Sequence, residues 1–400
     1  MQTLGFFITR SFYAFISLLS LKAVYALSSF FAPILFWLIP KYRKRALSNL
    51  ALAKDLKLNN KSIVKIAKKS LFHLLVTMLE YGKLFVIKKI DSFCHCINPN
   101  KAQELLDNKK GVIFFCGHQS NWELLFLDAT SRSSGVCIGK PINNKKLYDF
   151  ILKIRQKFKG KVIVPKDAYR GCMKALKQGN LVGVVGDQGL ADSSFFYNCL
   201  GRVAHMTTLP ALLSIRSGCP IFVATIVRNH GQYKITYTGP LEIDGEDPNA
   251  VEKLTLKSLE ILDTKIKEHP EQYMWQHNRW KIKYKPSIPK KYRHDALAVI
   301  VGKFSELMVK ELNYLKELYK GAYFIIFTTE KNPILDSFNE VIFYKKTEEC
   351  FIKHYGPKLM FDMVGIKGIK RHFEKLALFE YVYSPSIIEK TKNWKKPHAD

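Results

Sequence analysis

The chain has 400 residues, with 63 Lys and Arg against 34 Asp and Glu and a formal charge of +29. That length excludes a chain too small to bury a core and suits one large or two modest domains. The charge predicts anionic partners (membrane phospholipid, a phosphorylated lipid, an acidic carrier protein or nucleic acid) without choosing among them, and the eight cysteines show no paired spacing, which fits reduced thiols rather than a disulfide framework.

At the amino terminus, Ala23 to Pro40 carries no charge, and Ser11 to Leu21 ahead of it is also apolar. A membrane span takes about 20 apolar residues, in a range of about 17–25, so one anchor fits, with Pro33 expected to kink it. A signal peptide cleaved after Val24-Tyr-Ala26 and a helix lying flat in the interface are competing readings. The apolar run continues past Ala26 to the basic stop Lys41-Tyr-Arg-Lys-Arg45, which favours an uncleaved anchor. By the positive-inside rule the remainder then stays on the cytoplasmic side. Ile63 to Val86 has helical apolar spacing. Cys94-His-Cys96 resembles half a zinc site, but no second ligand pair follows at a suitable spacing, and no metal is expected.

Apolar runs at Gly111 to Cys116, Lys161 to Val164, Leu181 to Val185 and Pro220 to Ile226 alternate with helix-like Lys145 to Phe158 and Tyr169 to Gln178. The alternation predicts an α/β sheet covered by helices, in which sites gather at strand ends. His118 and Asp187 both fall just beyond such ends. On a continuous helix, His118 and Glu123 would be about 500° apart and would not face each other. They can meet if a strand, a loop and a helix follow one another, with Ser120 or Asn121 capping the helix and Glu123 in its first turn. Glu123 would then hold one imidazole nitrogen while the other faces a hydroxyl, the base-and-orienter arrangement of acyl transfer. By spacing alone, such a pair is more often a helix cap with a solvated side chain than a catalytic pair. Asp187 and Gln188 share the expected sheet edge, although Asp-Gln-Gly by itself is turn chemistry.

After the basic, proline-containing stretch Lys281 to Lys291, the pattern restarts: Ala296 to Val301, a helix-like Ser305 to Tyr319, then Ala322 to Phe327. This predicts a small carboxy-terminal α/β appendage. Gly302 is the only glycine near its first turn, so no phosphate-binding fingerprint is present. The expected organisation is an anchor at 1–45, a catalytic domain at 46–285 and an appendage of unassigned role at 286–400.

A series of motifs occurs in order: Gly117-His-Gln-Ser-Asn-Trp-Glu123; Arg155 ahead of Gly160; Gly186-Asp-Gln-Gly189; Leu200-Gly-Arg-Val-Ala204 with Thr207-Thr-Leu-Pro-Ala211; Arg228; Pro270-Glu-Gln-Tyr-Met-Trp275; and Arg279-Trp-Lys281. Together they resemble the lipid A biosynthesis acyltransferases, the lauroyl/myristoyl transferases of Gram-negative envelopes, over roughly residues 1 to 285. The segment Phe195 to Gly201 looks longer than the family's usual Phe-Phe-Gly, and His205-Met206 precedes the Thr pair, which bears on acceptor and chain-length preference. The resemblance implies an inner-membrane enzyme that moves a fatty acyl chain from acyl carrier protein to a hydroxyl of a Kdo-bearing lipid A precursor, without cofactor or metal. It implies His118 as base, Glu123 as its orienter and Arg155 as a stabiliser of the thioester oxyanion. Asp187 and Gln188 would build the substrate site, and Arg202, Arg228 and Arg279 would grip phosphates through paired hydrogen bonds. Trp122, Phe126, Phe195, Phe196 and Trp275 are candidates to line an acyl slot, one or two of them in contact with the chain. Two alternatives stand beside this reading. One is acylation of a glycerol phosphate, whose enzymes usually resemble His-x4-Asp. The other is a non-catalytic membrane protein binding anionic lipid; no recognisable nucleic-acid module is present.

Overall fold

The structure, a computed structural model, describes residues 2–229, 231–241, 247–392 and 394. It divides into two compact units: Met1–Leu35 with Lys68–Gln188 and Met206–Met274, and Phe36–Ala67 with Gly189–His205 and Trp275–Asp400. The tail thus shares its unit with two stretches from earlier in the chain. The strands are, in order, β1 (Cys94–Cys96), β2 (Val112–Cys116), β3 (Gly135–Ile138), β4 (Gly160–Ile163), β5 (Leu181–Val185), β6 (Phe196–Cys199), β7 (Arg202–His205), β8 (Ile221–Asn229), β9 (Gln232–Leu241), β10 (Ala296–Ile300), β11 (Tyr323–Thr328), β12 (Glu340–Phe343), β13 (Leu359–Asp362) and β14 (Glu380–Tyr383).

In the first unit seven strands form a sheet in the order β1-β9-β8-β2-β5-β3-β4. The central strands β2 and β5 are parallel neighbours. Parallel strands covered on both faces are apolar throughout, and β2 is buried at every residue, which is why these runs are readable in sequence. Between them the chain crosses over through helices Glu123–Arg132, Lys145–Arg155 and Ala168–Lys177, close to the predicted spans. The hairpin partner β9, antiparallel to β8, goes unread in sequence; it alternates inward Tyr233, Ile235 and Tyr237 with more exposed residues. Cys94-His-Cys96 is the edge strand β1, with both thiols buried and His95 exposed, an ordinary two-residue alternation.

The second unit has five parallel strands in the order β12-β11-β10-β13-β14, with β6 and β7 as a separate hairpin. Alternate residues of β10 serve opposite faces: Leu297 and Val299 pack with Leu312 and Leu315, and Ala298 and Ile300 with Phe373 and Leu378. The helix Glu306–Leu318 starts where Ser305 accepts the Met308 amide at 3.2 Å, a side-chain cap that fixes its first turn. Among the described residues one helix, Leu21–Leu38, has the length and apolarity to cross a membrane, with a mean hydropathy of 1.6. Pro33 lies within it, and Phe30, Phe31 and Ile34 are exposed.

Candidate active site

Sheet register builds the site. Cys116 of β2 pairs with Val185 of β5, so the two strands leave the sheet level with each other and two residues later deliver His118 and Asp187 side by side. Gly117 permits the approach: a Cβ there would lie 3.2 Å from the Asp187 Cβ and 3.1 Å from Leu262. Asp187 is fully buried. One carboxylate oxygen meets His118 Nδ1 at 2.7 Å; the other accepts the His118 amide at 2.9 Å and the Tyr273 hydroxyl at 2.7 Å. The Gln188 side-chain nitrogen lies 3.2 Å from His118 Nε2. The carboxylate contact assigns the tautomer: Nδ1–H donates to Asp187, which leaves the lone pair on Nε2, and the Gln188 nitrogen, 3.3 Å from Nδ1 as well, lies off that lone-pair direction.

The expected orienter is therefore corrected. Glu123 is in the first turn of its helix as predicted, but its oxygens accept from Arg155 Nε at 2.8 Å and Nη2 at 2.5 Å. Burial alone would raise the Glu123 carboxyl, yet the Arg155 guanidinium, helped by the Tyr81 hydroxyl and the nearby His118, holds it below the ordinary range. Arg155 in turn is raised by Glu123 against its own desolvation, a fixed ion pair beside the imidazole. Neither Ser120 nor Asn121 caps this helix; Trp122 occupies the position without a side-chain cap. Ser120 instead adopts a left-handed conformation (φ 51°), and its amide donates to the Gln272 carbonyl at 2.6 Å. Asn121 donates to Glu80 at 2.9 Å. The His118 carbonyl accepts the Met274 amide at 3.0 Å, so the loop is stitched down along both sides.

His118, Glu123, Arg155 and Gln188 border a cavity of about 420 Å³, within the range of small-molecule sites. Its wall is apolar: Phe114, Leu125, Phe126, Ala129, Leu181 and Ala224 belong to it, together with Trp122. Lys140 also borders it, a residue the sequence did not single out. The thiols of Cys116 and Cys137 line it as neutral groups, burial raising both and taking Cys137 to about 12. Of the expected slot aromatics, Trp122 and Phe126 line it, whereas Phe195, Phe196 and Trp275 belong to the other unit.

The remaining arginines have internal partners, which corrects their expected grip on substrate phosphates. Arg228 is 5 % exposed; it donates to Tyr233 at 2.6 Å and Thr77 at 3.0 Å and pairs with Glu80 at 3.3 Å. Its backbone exchanges hydrogen bonds with the Gln272 side chain, at 2.8 and 3.0 Å, and Gln272 holds Ser120. Arg228 is thus a brace two steps behind the His118 loop. In the second unit, Arg202 is buried against Asp295 at 3.0 Å, and Arg279 donates twice to the Cys199 sulfur at 2.9 and 2.7 Å. Sequence reasoning missed Glu80 and Tyr273. The signal for Glu80 is an ionisable residue within an apolar helical pattern; Tyr273 sits inside the quoted Pro270–Trp275 motif.

A family model described as bacterial lipid A biosynthesis acyltransferase matches residues 1–282. Among curated proteins, a lipid A biosynthesis palmitoleoyltransferase of Escherichia coli (strain K12) is 29% identical over 166 residues, 39% of this chain and 53% of that protein. A lipid A biosynthesis acyltransferase of Shigella flexneri matches to the same extent. The chain spans about half the length of these relatives.

Proposed function

Because the chain belongs to the bacterial lipid A biosynthesis acyltransferase family, we propose that it transfers a fatty acyl chain from acyl carrier protein to a hydroxyl of a Kdo-bearing lipid A precursor, at the cytoplasmic face of the inner membrane. The observation that carries this reading is a His118–Asp187 pair at the border of an apolar cavity. An imidazole with its lone pair toward the cavity suits a base; a buried carboxylate on the other nitrogen suits the positive charge that base acquires.

In the proposed reaction the acyl chain lies against Phe114, Leu125 and Phe126 with its thioester near His118. His118 Nε2 takes the proton of the acceptor hydroxyl as the oxygen bonds to the thioester carbon, while Nδ1–H stays with Asp187. The tetrahedral intermediate collapses by breaking the carbon–sulfur bond, and the imidazolium returns its proton to the departing thiolate. Arg155, held in place by Glu123, supplies positive charge to the oxyanion, and Gln188 is placed to exchange its contact with Nε2 for one with substrate. The thioester is already activated, so the residues need only position, take and return a proton.

The test is transfer of labelled acyl groups from acyl carrier protein to a Kdo-bearing lipid A precursor, with glycerol 3-phosphate as a parallel acceptor. Washed membranes carrying wild type should acylate the precursor and those carrying His118→Ala should not. Acylation of glycerol 3-phosphate alone would replace the acceptor; full activity in His118→Ala would remove the base.

A further inference from the structure

We propose that the second unit carries a separate site for the phosphate of an anionic membrane phospholipid. The site is a cavity of about 450 Å³, walled by Lys41, Lys44 and Arg45 on one side and by Lys290, Lys291 and Arg293 on the other. Lys290, Lys291 and Arg293 all lie beyond the family match at 1–282.

Charge defines the ligand. Lys358 brings the cationic side chains to seven, against two carboxylates, Asp295 and Glu380. Asp295 is already committed: it is 2 % exposed and bonds Lys358 at 2.8 Å and Arg202 at 3.0 Å. The surplus positive charge is felt inside the cavity, where His294 is pushed down to about 4, by burial first and then by the Lys358 cation. Lys41, Lys290, Lys291 and Arg293 are exposed; Arg293 is held by the Ile288 carbonyl at 2.8 Å, and the Lys291 ammonium lies 4.6 Å from the Tyr292 ring centroid, whereas Lys44 and Arg45 are half-buried and tied to the Leu378 and Gln276 carbonyls at 2.6 and 3.3 Å. A phosphate offers the acceptor oxygens that such a cluster needs.

Position defines the source. Pro40 and Lys41 follow two and three residues after the end of the apolar helix Leu21–Leu38. In the same unit, Trp37, Leu38 and Tyr42 are exposed, at 60%, 70% and 40%, and the Arg43 guanidinium lies 4.7 Å above the Trp37 ring. Exposed Trp and Tyr beside a basic cluster at the end of a span are the residues found at headgroup level, and basic pockets there take anionic headgroups. The inference rests on reading Leu21–Leu38 as an anchor; it is independent of acyl transfer.

Native mass spectrometry of the full chain in neutral detergent, titrated with dioleoyl phosphatidylglycerol, tests it. Wild type should bind one such lipid in preference to dioleoyl phosphatidylcholine and to soluble glycerol 1-phosphate. Removing Lys41, Lys290 and Lys291 together (Lys→Gln at each) should weaken this binding by roughly a hundredfold, about fivefold per lysine, and Lys41→Glu alone should weaken it in the same direction. The matched triple Lys→Gln at Lys310, Lys320 and Lys331, none of which borders the cavity, should bind like wild type. Equal losses in the two triples would reduce the effect to general charge and overturn the site; equal affinity for phosphatidylcholine would overturn the headgroup, and equal affinity for glycerol 1-phosphate the membrane source. Acyl transfer measured on the same preparations stands or falls separately.

Discussion

Asp187 touches His118 twice, through the ring nitrogen at 2.7 Å and through the backbone amide at 2.9 Å, so it fixes both the tautomer and the place of the proposed base. Asp187→Asn keeps the shape but offers an amide where a carboxylate balanced the imidazolium. Acyl-transfer kcat should fall by about 10²- to 10⁴-fold with little change in KM, and single-turnover kinetics would show it; a fall confined to KM would make Asp187 a substrate contact instead. Glu123→Gln releases Arg155 from its paired contact and should destabilise the protein by roughly 2–3 kcal/mol, less than a fully buried pair because Arg155 is partly exposed. The Glu123 carboxyl is depressed in the folded state, so its contribution is full above the ordinary Glu value of about 4.3 and is lost as pH falls through its lower folded value. Denaturant unfolding below pH 5 should therefore decline less steeply in Glu123→Gln than in wild type; parallel declines would deny the pair its role.

The elements legible in sequence are those whose environment is uniform along their length. Leu181–Val185 is legible to the residue because a central parallel strand is built of apolar residues on both faces. What was not legible depends on register. Glu123 looked like the orienter because it is five residues from His118, while Asp187, 69 positions away, becomes the neighbour only once β2 and β5 are paired. A motif gives Arg202, Arg228 and Arg279 a residue type but not their burial, which is why phosphate contacts are expected of them from sequence and internal partners are found. The cavity's β5 wall offers a test of chain selection. Gly183 borders it, and a Cβ there would meet Phe126 at 3.4 Å and Cys137 at 3.6 Å, ordinary contact distances. Gly183→Ala should leave thermal stability within about 1 kcal/mol and lower kcat/KM more for long acyl donors than for short ones. A uniform loss across donor lengths would place the chain elsewhere.

For the molecule as a whole, a surplus of +29 would set the terms on which it meets the proposed acidic carrier. Exposed charges steer encounter and are screened beyond about 8 Å at physiological ionic strength, so raising salt from 50 to 300 mM should lower kcat/KM for the acyl donor by slowing association while leaving single-turnover chemistry nearly constant. A chemical step that slowed in parallel would point to electrostatics within the site.

The level exit of β2 and β5 has a consequence for engineering. The two halves of the base pair are coupled by strand register, not by the crossover that joins them in sequence. Residues added in the loop 141–144, ahead of the helix that carries Arg155, leave that coupling untouched, while a single residue inserted at Gly117 or Gly186 sends one partner out of step. Length can vary in such loops but not at the two strand exits.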